Sequence, residues 1–257
     1  MHILAQNVSQ LTEELSLIPW SLLDKAQMPG GGGELRLMQR GAEFSIRLGQ
    51  TELMNSRLSG SEEALATLSC ARIQTRERPR ILIGGLGMGF TLRAALAAVV
   101  AEAEIIVAEL APAVVAWARG PMAELFQSSL TDSRVSILES DVGRLIRSGR
   151  STYDAILLDV DNGPEGLSRK ANDGLYDMEG LRAARAALRP GGVLAVWSSG
   201  PDRNFTQRLR KTGFDVDEVR VRANGARGGA RHVIWIACLG KDASVSDVSA
   251  EQYLFPT

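Results

Sequence analysis

The sequence has 257 residues, with 29 basic and 30 acidic side chains and a formal net charge of −1. Such a chain has no global field that would attract nucleic acid or an anionic membrane. Aromatic residues make up only 5% of it, so stacking platforms for single-stranded nucleic acid are scarce. We therefore expect no nucleic-acid partner and no membrane partner.

Cysteine usage and the start of the sequence indicate the compartment. Cys70 and Cys238 are far apart and neither lies in a Cys-x-x-Cys, a pattern typical of reduced core thiols in a cytoplasmic protein. No basic region followed by an apolar segment opens the chain, so no signal peptide is indicated. We expect a cytoplasmic protein.

Residues 1–75 are predicted to form an N-terminal unit. The first 30 residues favour a helix, and residues 30–33, all glycine, predict a flexible break after Pro29. Three short alternating segments at 34–40, 43–48 and 50–55 predict a small antiparallel β-meander, and a helix follows at about 61–74. The apolar contacts expected of the first helix are Leu11, Leu15, Leu22 and Leu23.

Residues 76–240 alternate apolar runs with helical patterns, and residues 241–257 read as a polar tail. This alternation implies parallel strands buried on both faces, so the predicted fold class is α/β, with a Rossmann-like sheet covered by helices on both faces. Strands are predicted at 80–84, 104–109, 134–138, 153–159, 192–198, 215–222 and 232–239. Helices are predicted at 90–101, 112–127, 141–148, 173–188 and 202–212. Ligands of such sheets bind beyond the carboxyl ends of the strands.

A glycine turn between the first strand of this region and its helix indicates the ligand. The turn reads G-x-G-x-G, and Glu109 ends the next strand 20 residues after the last glycine. It differs from the G-x-G-x-x-G of dinucleotide folds, and no Lys-Ser or Lys-Thr pair follows as in a P-loop. The pattern favours a ligand with adenosine and no phosphate, such as S-adenosylmethionine; the alternative is a tight turn in a domain without a cofactor. The glycines are Gly85, Gly87 and Gly89.

Three acidic residues follow strand ends. Glu109 is expected to bind the ribose hydroxyls. Asp141 begins a helix, where it can accept the adenine amino group or simply cap the helix. Asp159 lies where the reactive end of the cofactor is expected, and it can orient or deprotonate an attacking amine; the alternative is a turn acid before Gly163-Pro164.

The only histidines are His2 and His232, one at the terminus and one in a late strand. We therefore expect neither a histidine-based triad nor a multi-histidine metal site, and no metal. Methyl transfer from a sulfonium needs alignment more than acid–base help. The candidate general bases are Asp159, Asp161, Glu62, Glu63 and Tyr176.

Several segments together resemble the spermidine synthase-like branch of Rossmann-fold transferases of the S-adenosylmethionine type. They are residues 52–57, 60–64, 83–93, 107–112, 153–159 and 188–194, in an order and spacing that cover about 34–238. The resemblance implies seven strands, six parallel and the last antiparallel, with a small N-terminal β-meander. It also implies that Glu109 binds ribose, Asp141 adenine, and that Asp159 faces the acceptor. Further cofactor contacts are expected from Gly85, Gly87, Met88, Gly89, Leu110 and Val142.

Three departures from this family pattern shape the functional prediction. Aminopropyltransferases carry an acid inside the glycine turn that pairs with the amine of decarboxylated S-adenosylmethionine, and Met88 occupies that position here. Residues 161–166 replace Asp-Pro-x-Gly-Pro, and residues 61–64 replace a Tyr-His-Glu element. We therefore predict a methyltransferase that uses S-adenosylmethionine and a small-molecule acceptor. The alternatives are an aminopropyltransferase that uses decarboxylated S-adenosylmethionine, and a nucleoside-binding module without catalysis.

Acceptor recognition is expected from side chains around the strand ends and on the helix that follows the β-meander, at about 61–74. Trp197 ends the fifth strand of the Rossmann region, although a tryptophan there can also be a core residue. By analogy with the family, we expect a homodimer. The other acceptor candidates are Glu62, Glu63, Asn162 and Asn172.

Overall fold

The computed structural model describes residues 18–160 and 174–240. Its N-terminal part is a four-stranded antiparallel sheet in the order β1-β2-β3-β4. The predicted β-meander is confirmed as β2, β3 and β4, and its first turn contains Gly41 at φ +57°. The four strands are Ser21–Gln27, Glu34–Arg40, Glu43–Leu48 and Thr51–Asn55.

The predicted N-terminal helix is wrong where the structure describes it, because residues 21–27 form strand β1. Leu22 and Leu23, expected as core contacts, are 52% and 40% exposed; Leu11 and Leu15 lie outside the described residues. Residues 30–33 form a tight hairpin connection rather than a flexible break, closed by the Met28 N–H, which donates to the Gly33 carbonyl at 2.8 Å. Pairing with β2 therefore overrides the local helical preference of β1.

Helix α1 (Gly60–Arg72) leads into a seven-stranded sheet in the order β10-β11-β9-β8-β5-β6-β7. All neighbours pair in parallel except β11, which is antiparallel to both β9 and β10. The sheet strands are Arg80–Gly84, Glu104–Glu109, Val135–Glu139, Tyr153–Leu158, Leu188–Ser198, Asp215–Arg222 and Arg231–Cys238, named β5 to β11. The fold class is thus confirmed: the molecule is α/β and Rossmann-like.

Helices cover both faces of this sheet. Helices α1 to α4 pack on one face and α5 to α7 on the other, so alternate residues of β5 enter different cores: Ile81 and Ile83 on one side, Leu82 on the other. This alternation explains why the strand reads as a continuous apolar run. The helices after α1 are Phe90–Ala98, Pro112–Arg119, Ala123–Phe126, Val142–Ser148, Met178–Ala187 and Arg203–Lys211.

Two predicted helices differ from those observed. The helix expected at 112–127 is divided into α3 and α4, because Pro121 lacks a backbone N–H and restricts the residue before it. The helix expected at 173–188 is interrupted at Asp177: residues 174–176 are helical, and α6 begins after Asp177, whose side chain accepts hydrogen bonds from the backbone N–H groups of Glu179 and Gly180. The boundaries proposed at residues 75 and 240 stay predictions. Within the described ranges, none of the helices has the length and apolar character needed to cross a membrane.

Candidate active site

A cavity opens at the carboxyl ends of β5, β6 and β8, beside the first turn of α1 and strand β4. This is the edge of the sheet at which the sequence predicts the ligand site. Most of the predicted site residues line the cavity: Glu62, Gly85, Gly87, Met88, Gly89, Glu109, Leu110, Asp141, Val142, Asp159 and Trp197.

Two predicted residues lie elsewhere. Tyr176 is buried against Phe205, with ring centroids 5.7 Å apart, and its hydroxyl donates to the Val160 carbonyl at 3.3 Å. Glu63 follows Glu62 in α1 but does not line the cavity, because consecutive helical side chains point about 100° apart. The roles of general base for Tyr176 and of general base or acceptor contact for Glu63 stay predictions. Asp161, Asn162 and Asn172 lie outside the described residues.

The glycine turn is built for close approach of the backbone. Gly85 has φ +91°, and a Cβ there would lie 2.5 Å from the Asp159 carbonyl oxygen. Gly89 has φ +79°, and its Cβ would lie 2.4 Å from the Phe126 ring. Side chains at these two positions would push apart the ends of β5 and β8 or displace the ring, so glycine is required for packing as well as for φ.

Glu109, at the end of β6, is buried and holds the glycine turn. One carboxylate oxygen accepts from the Leu86 N–H at 2.9 Å, and the other accepts from the Ala111 N–H at 2.8 Å. Burial raises the pKa of Glu109, and these backbone hydrogen bonds oppose the rise. Glu109 also lines the cavity, and its contact with a ribose hydroxyl stays a prediction.

Of the two roles that the sequence leaves open for Asp141, the structure shows the helix cap. Its Oδ1 accepts from the Gly143 N–H at 2.8 Å and so caps α5, while its Oδ2 lies 3.5 Å from a guanidinium nitrogen of Arg147. The side chain is half exposed and lines the cavity. The cap therefore fixes a carboxylate at the cavity wall, and its contact with adenine stays a prediction.

Glu62 and Asp159 are two acids that share one cavity. Asp159 Oδ2 accepts from the Thr91 hydroxyl at 2.6 Å, and Glu62 Oε2 accepts from the Ser61 hydroxyl at 2.7 Å. Burial raises the pKa of Asp159 to about 6; burial and the nearby Asp159 raise the pKa of Glu62 to about 7. Among the described residues that line the cavity there is no lysine or arginine to balance this charge.

Sequence reasoning missed several side chains that line the cavity. His232 was assigned to a strand without a site role, yet it lines the cavity with its Nδ1 3.0 Å from Ser61 Oγ. Its ring also packs edge-on against Trp197, with centroids 4.8 Å apart. No local signal reveals this placement, because it depends on β11 inserting between β9 and β10. The other missed residues include Met28, Leu53, Met54, Asn55 and Leu58 from the N-terminal unit.

Comparison with solved structures identifies the architecture. The spermidine synthase from Thermotoga maritima superposes with a TM-score of 0.67 over 86% of this chain and 74% of that chain, at 18% identity. A spermidine synthase in complex with the transition-state analogue AdoDATO gives a TM-score of 0.66 over 86% of this chain and 73% of that chain, also at 18% identity. The fold is spermidine synthase-like. The resemblance expected from the sequence is thus confirmed at the level of the fold.

Sequence relatives of this spermidine synthase-like chain match about half of it. Polyamine aminopropyltransferase 2 of Hyperthermus butylicus is 28% identical over 122 residues, which are 48% of this chain and 39% of that protein. Polyamine aminopropyltransferase 1 of Streptomyces coelicolor is 32% identical over 123 residues, 47% of this chain and 22% of that protein. The match thus spans two fifths or less of the length of these relatives, and no protein-family model matches the chain.

Proposed function

We propose that this protein is a transferase that moves an alkyl group from an S-adenosylmethionine-type sulfonium donor to the amine of a small acceptor. The observation that carries the proposal is the pair of acids, Glu62 and Asp159, in a cavity beside the glycine turn. Two carboxylates that share a cavity without a cationic side chain form a site for a cationic group. An ammonium group supplies that charge.

The other end of the cavity fits the donor. Glu109 offers carboxylate oxygens to a ribose, Asp141 offers an acceptor to an adenine amino group, and the turn at Gly85 to Gly89 leaves the backbone open to the ligand. No basic side chain among the described lining residues would hold a pyrophosphate. When bound, the donor supplies an electrophilic carbon attached to a positively charged sulfur.

The chain's own residues then have separate tasks. Asp159, held by Thr91, orients the acceptor nitrogen, and Glu62 or Asp159 takes one proton from its ammonium group. The neutral amine uses its lone pair to form the new C–N bond as the C–S bond breaks, and the electron pair of that bond stays on sulfur. Alignment of nitrogen, carbon and sulfur accounts for much of the rate of such an in-line displacement.

Aminopropyl transfer is the first candidate for the reaction. It is supported by the names of the sequence relatives, which are polyamine aminopropyltransferases, and by the spermidine synthases among the similar structures. These comparisons favour it over the methyl transfer that the sequence analysis places first. The acid pair also suits a polyamine acceptor.

Methyl transfer is the second candidate, favoured by Met88. This side chain is buried in the glycine turn, lines the cavity, and puts a thioether where an acid would meet the amine of decarboxylated S-adenosylmethionine. The loss of that partner weakens selection for the decarboxylated donor.

The homodimer stays a prediction.

The test is a pair of reactions with purified protein. The protein is incubated with 1,4-diaminobutane and either S-adenosylmethionine or its decarboxylated form, and the amine products are identified by mass spectrometry. An aminopropylated product supports the first candidate and a methylated product the second. In both cases D159N must lose the product while retaining donor binding by calorimetry. Donor binding with no product from any amine would favour the binding module without catalysis.

A further inference from the structure

Three side chains from two distant parts of the chain form a hydrogen-bonded series in the cavity wall. Ser61 and Glu62 open helix α1, whereas His232 lies in β11, the antiparallel strand near the end of the sheet domain. The Ser61 hydroxyl donates to Glu62 Oε2 at 2.7 Å, and His232 Nδ1 lies 3.0 Å from Ser61 Oγ. All three residues line the cavity.

The directions of these bonds follow from the number of hydrogens. Ser61 has one hydroxyl hydrogen and donates it to Glu62, so the ring nitrogen of His232 must be the donor of the second bond. Burial lowers the pKa of His232, which favours the neutral ring. The ring is therefore the neutral tautomer with hydrogen on Nδ1, and its Nε2 carries a lone pair.

The backbone holds the same two elements together. The Gly60 N–H donates to the Ala223 carbonyl at 3.0 Å, and a Cβ on Gly60 would lie 2.2 Å from the backbone nitrogen of Gly225. The first turn of α1 thus rests directly on the connection between β10 and β11. This backbone contact fixes the distance from Ser61 to His232. The hydrogen-bonded series is therefore held by the backbone as well as by its side chains.

We propose that Ser61 and His232 are positioning residues of the acceptor subsite, which hold the Glu62 carboxylate in place to bind the acceptor's ammonium group and take its proton. This inference rests on the proposed function and deepens it. The proton moves from the ammonium nitrogen to the Glu62 carboxylate, leaving a neutral amine and a neutral carboxylic acid. The Ser61 hydrogen bond stabilises the ionised carboxylate before this step and weakens after it.

The surroundings of Glu62 define which charges act on it. Asp159, from the end of β8, faces it across the cavity and raises its pKa, and Glu63 on its own helix acts in the same direction. The Ser61 hydrogen bond acts in the opposite direction. From β11, the neutral His232 acts through Ser61. Trp197 packs edge-on against that ring.

The first experiment determines the tautomer of His232 by nitrogen NMR on the full chain. The chain has two histidines, and an H2A variant leaves one signal to assign. The series requires hydrogen on Nδ1 in the otherwise unaltered protein and a shift toward hydrogen on Nε2 in S61A. Hydrogen on Nε2 from the outset would mean that Ser61 donates to the ring instead of to Glu62, and would overturn the series.

The second experiment measures binding of 1,4-diaminobutane by calorimetry in two buffers of different ionisation enthalpy, which also counts the protons exchanged. S61A is expected to weaken binding about tenfold or more. H232N, which keeps a donor near the position of Nδ1, should recover most of the affinity lost in H232L. S69A is the matched control, because the Ser69 hydroxyl is buried in the same helix and donates to the Leu65 carbonyl, away from the cavity.

Equal affinity in S61A and the unaltered protein would overturn the positioning role. No diamine binding at all, with the expected tautomer still present, would instead show that the hydrogen-bonded series exists and that the proposed amine acceptor is wrong. If the enzyme is active, S61A must also move the acid limb of kcat/KM to higher pH and leave the KM for the donor unchanged. A merely structural serine would change neither the pH profile nor the acceptor affinity selectively.

Discussion

The Thr91 hydroxyl donates a 2.6 Å hydrogen bond to Asp159, and this contact ties the first turn of α2 to the end of β8. The donor of the bond lies two residues after the last glycine of the turn that is expected to bind the cofactor. The acid expected to face the acceptor is therefore held by the same helix that begins at the cofactor turn. The positions expected for the sulfonium cofactor and for the acceptor substrate are thus coupled through the side chains of Thr91 and Asp159.

Removal of this bond should shift the pH dependence of the reaction. The Thr91 hydrogen bond favours the ionised carboxylate and opposes the rise in the Asp159 pKa caused by burial. In T91V the pKa rises further, so the acid limb of the kcat profile should move up by about one pH unit. T67A is the control, because the Thr67 hydroxyl donates to the Glu63 carbonyl on the exposed side of α1. An unmoved acid limb in T91V would show that Asp159 does not set it.

Replacement of Asp159 should stabilise the protein at alkaline pH. The pKa of Asp159 is raised from 3.8 to about 6 in the folded state, so the folded protein holds a proton that the unfolded chain releases in this window. Stability is lost as pH rises between these two values, and D159N avoids the loss. Urea unfolding near pH 8 should show a gain on the order of 1–3 kcal/mol in D159N, with little gain near pH 4.

The control for this measurement is E124Q, which neutralises an exposed carboxylate in α4 and should leave the free energy of unfolding unchanged. A gain of the same size at both pH values would point to packing instead of ionisation. D159N should at the same time be inactive. Together the two results would show that Asp159 is needed for activity and lowers the stability of the fold.

A methyl group at Gly85 should damage both folding and donor binding. The Cβ of G85A would lie 2.5 Å from the Asp159 carbonyl oxygen in a residue at φ +91°. A loss of about 1–3 kcal/mol in the free energy of unfolding is expected, together with weaker donor binding by calorimetry. G200A, where a Cβ meets nothing within 4 Å, should do neither. Full stability in G85A would show that the ends of β5 and β8 are free to separate.

Met88 should decide the choice between donors. In M88D an acid is placed inside the glycine turn, and it should bind the amine of decarboxylated S-adenosylmethionine. The ratio of the two donor Kd values should move toward the decarboxylated form by about tenfold, as expected for a hydrogen-bonded ion pair. M88L is the matched control, because it keeps an apolar side chain of similar size at this buried position. An unchanged ratio in M88D would remove the argument that Met88 favours methyl transfer.

Asp141 should show two separable roles. D141A loses both the cap of α5 and the carboxylate at the cavity wall, whereas D141N keeps an oxygen that can accept from the Gly143 N–H. The free energy of unfolding should fall by about 1 kcal/mol in D141A and much less in D141N. Both variants should bind the donor more weakly by about 1–3 kcal/mol if the carboxylate contacts adenine. Unchanged donor affinity in D141N would leave the cap as its only role.

Much of the Rossmann-like sheet could be predicted because its signals are local. The run at 80–84 is apolar on every residue that enters a core, the turn after it needs glycine at φ +91° and +79°, and an acid ends the next strand. Each of these features follows from neighbouring residues, so the glycine turn, Glu109 and Asp141 could be placed on the cavity in advance.

The remainder depended on contacts between distant residues. Strand β1 exists because it pairs with β2, although its own residues favour a helix. His232 enters the site because β11 inserts next to β9, which places it beside Trp197. Tyr176 does not line the cavity, because its ring packs in the core against Phe205. Pairing partners and side-chain directions of this kind have no signature in the local sequence.

The most direct test of the central claim is to identify the product of two reactions. Each contains the protein, 1,4-diaminobutane and one of the two sulfonium donors. The account predicts an alkylated diamine with one of the donors, and no product when E62Q or D159N replaces the unaltered protein. An unaltered protein that binds neither donor nor diamine, or a product that persists in both variants, would contradict the assignment of the acid pair as the acceptor site.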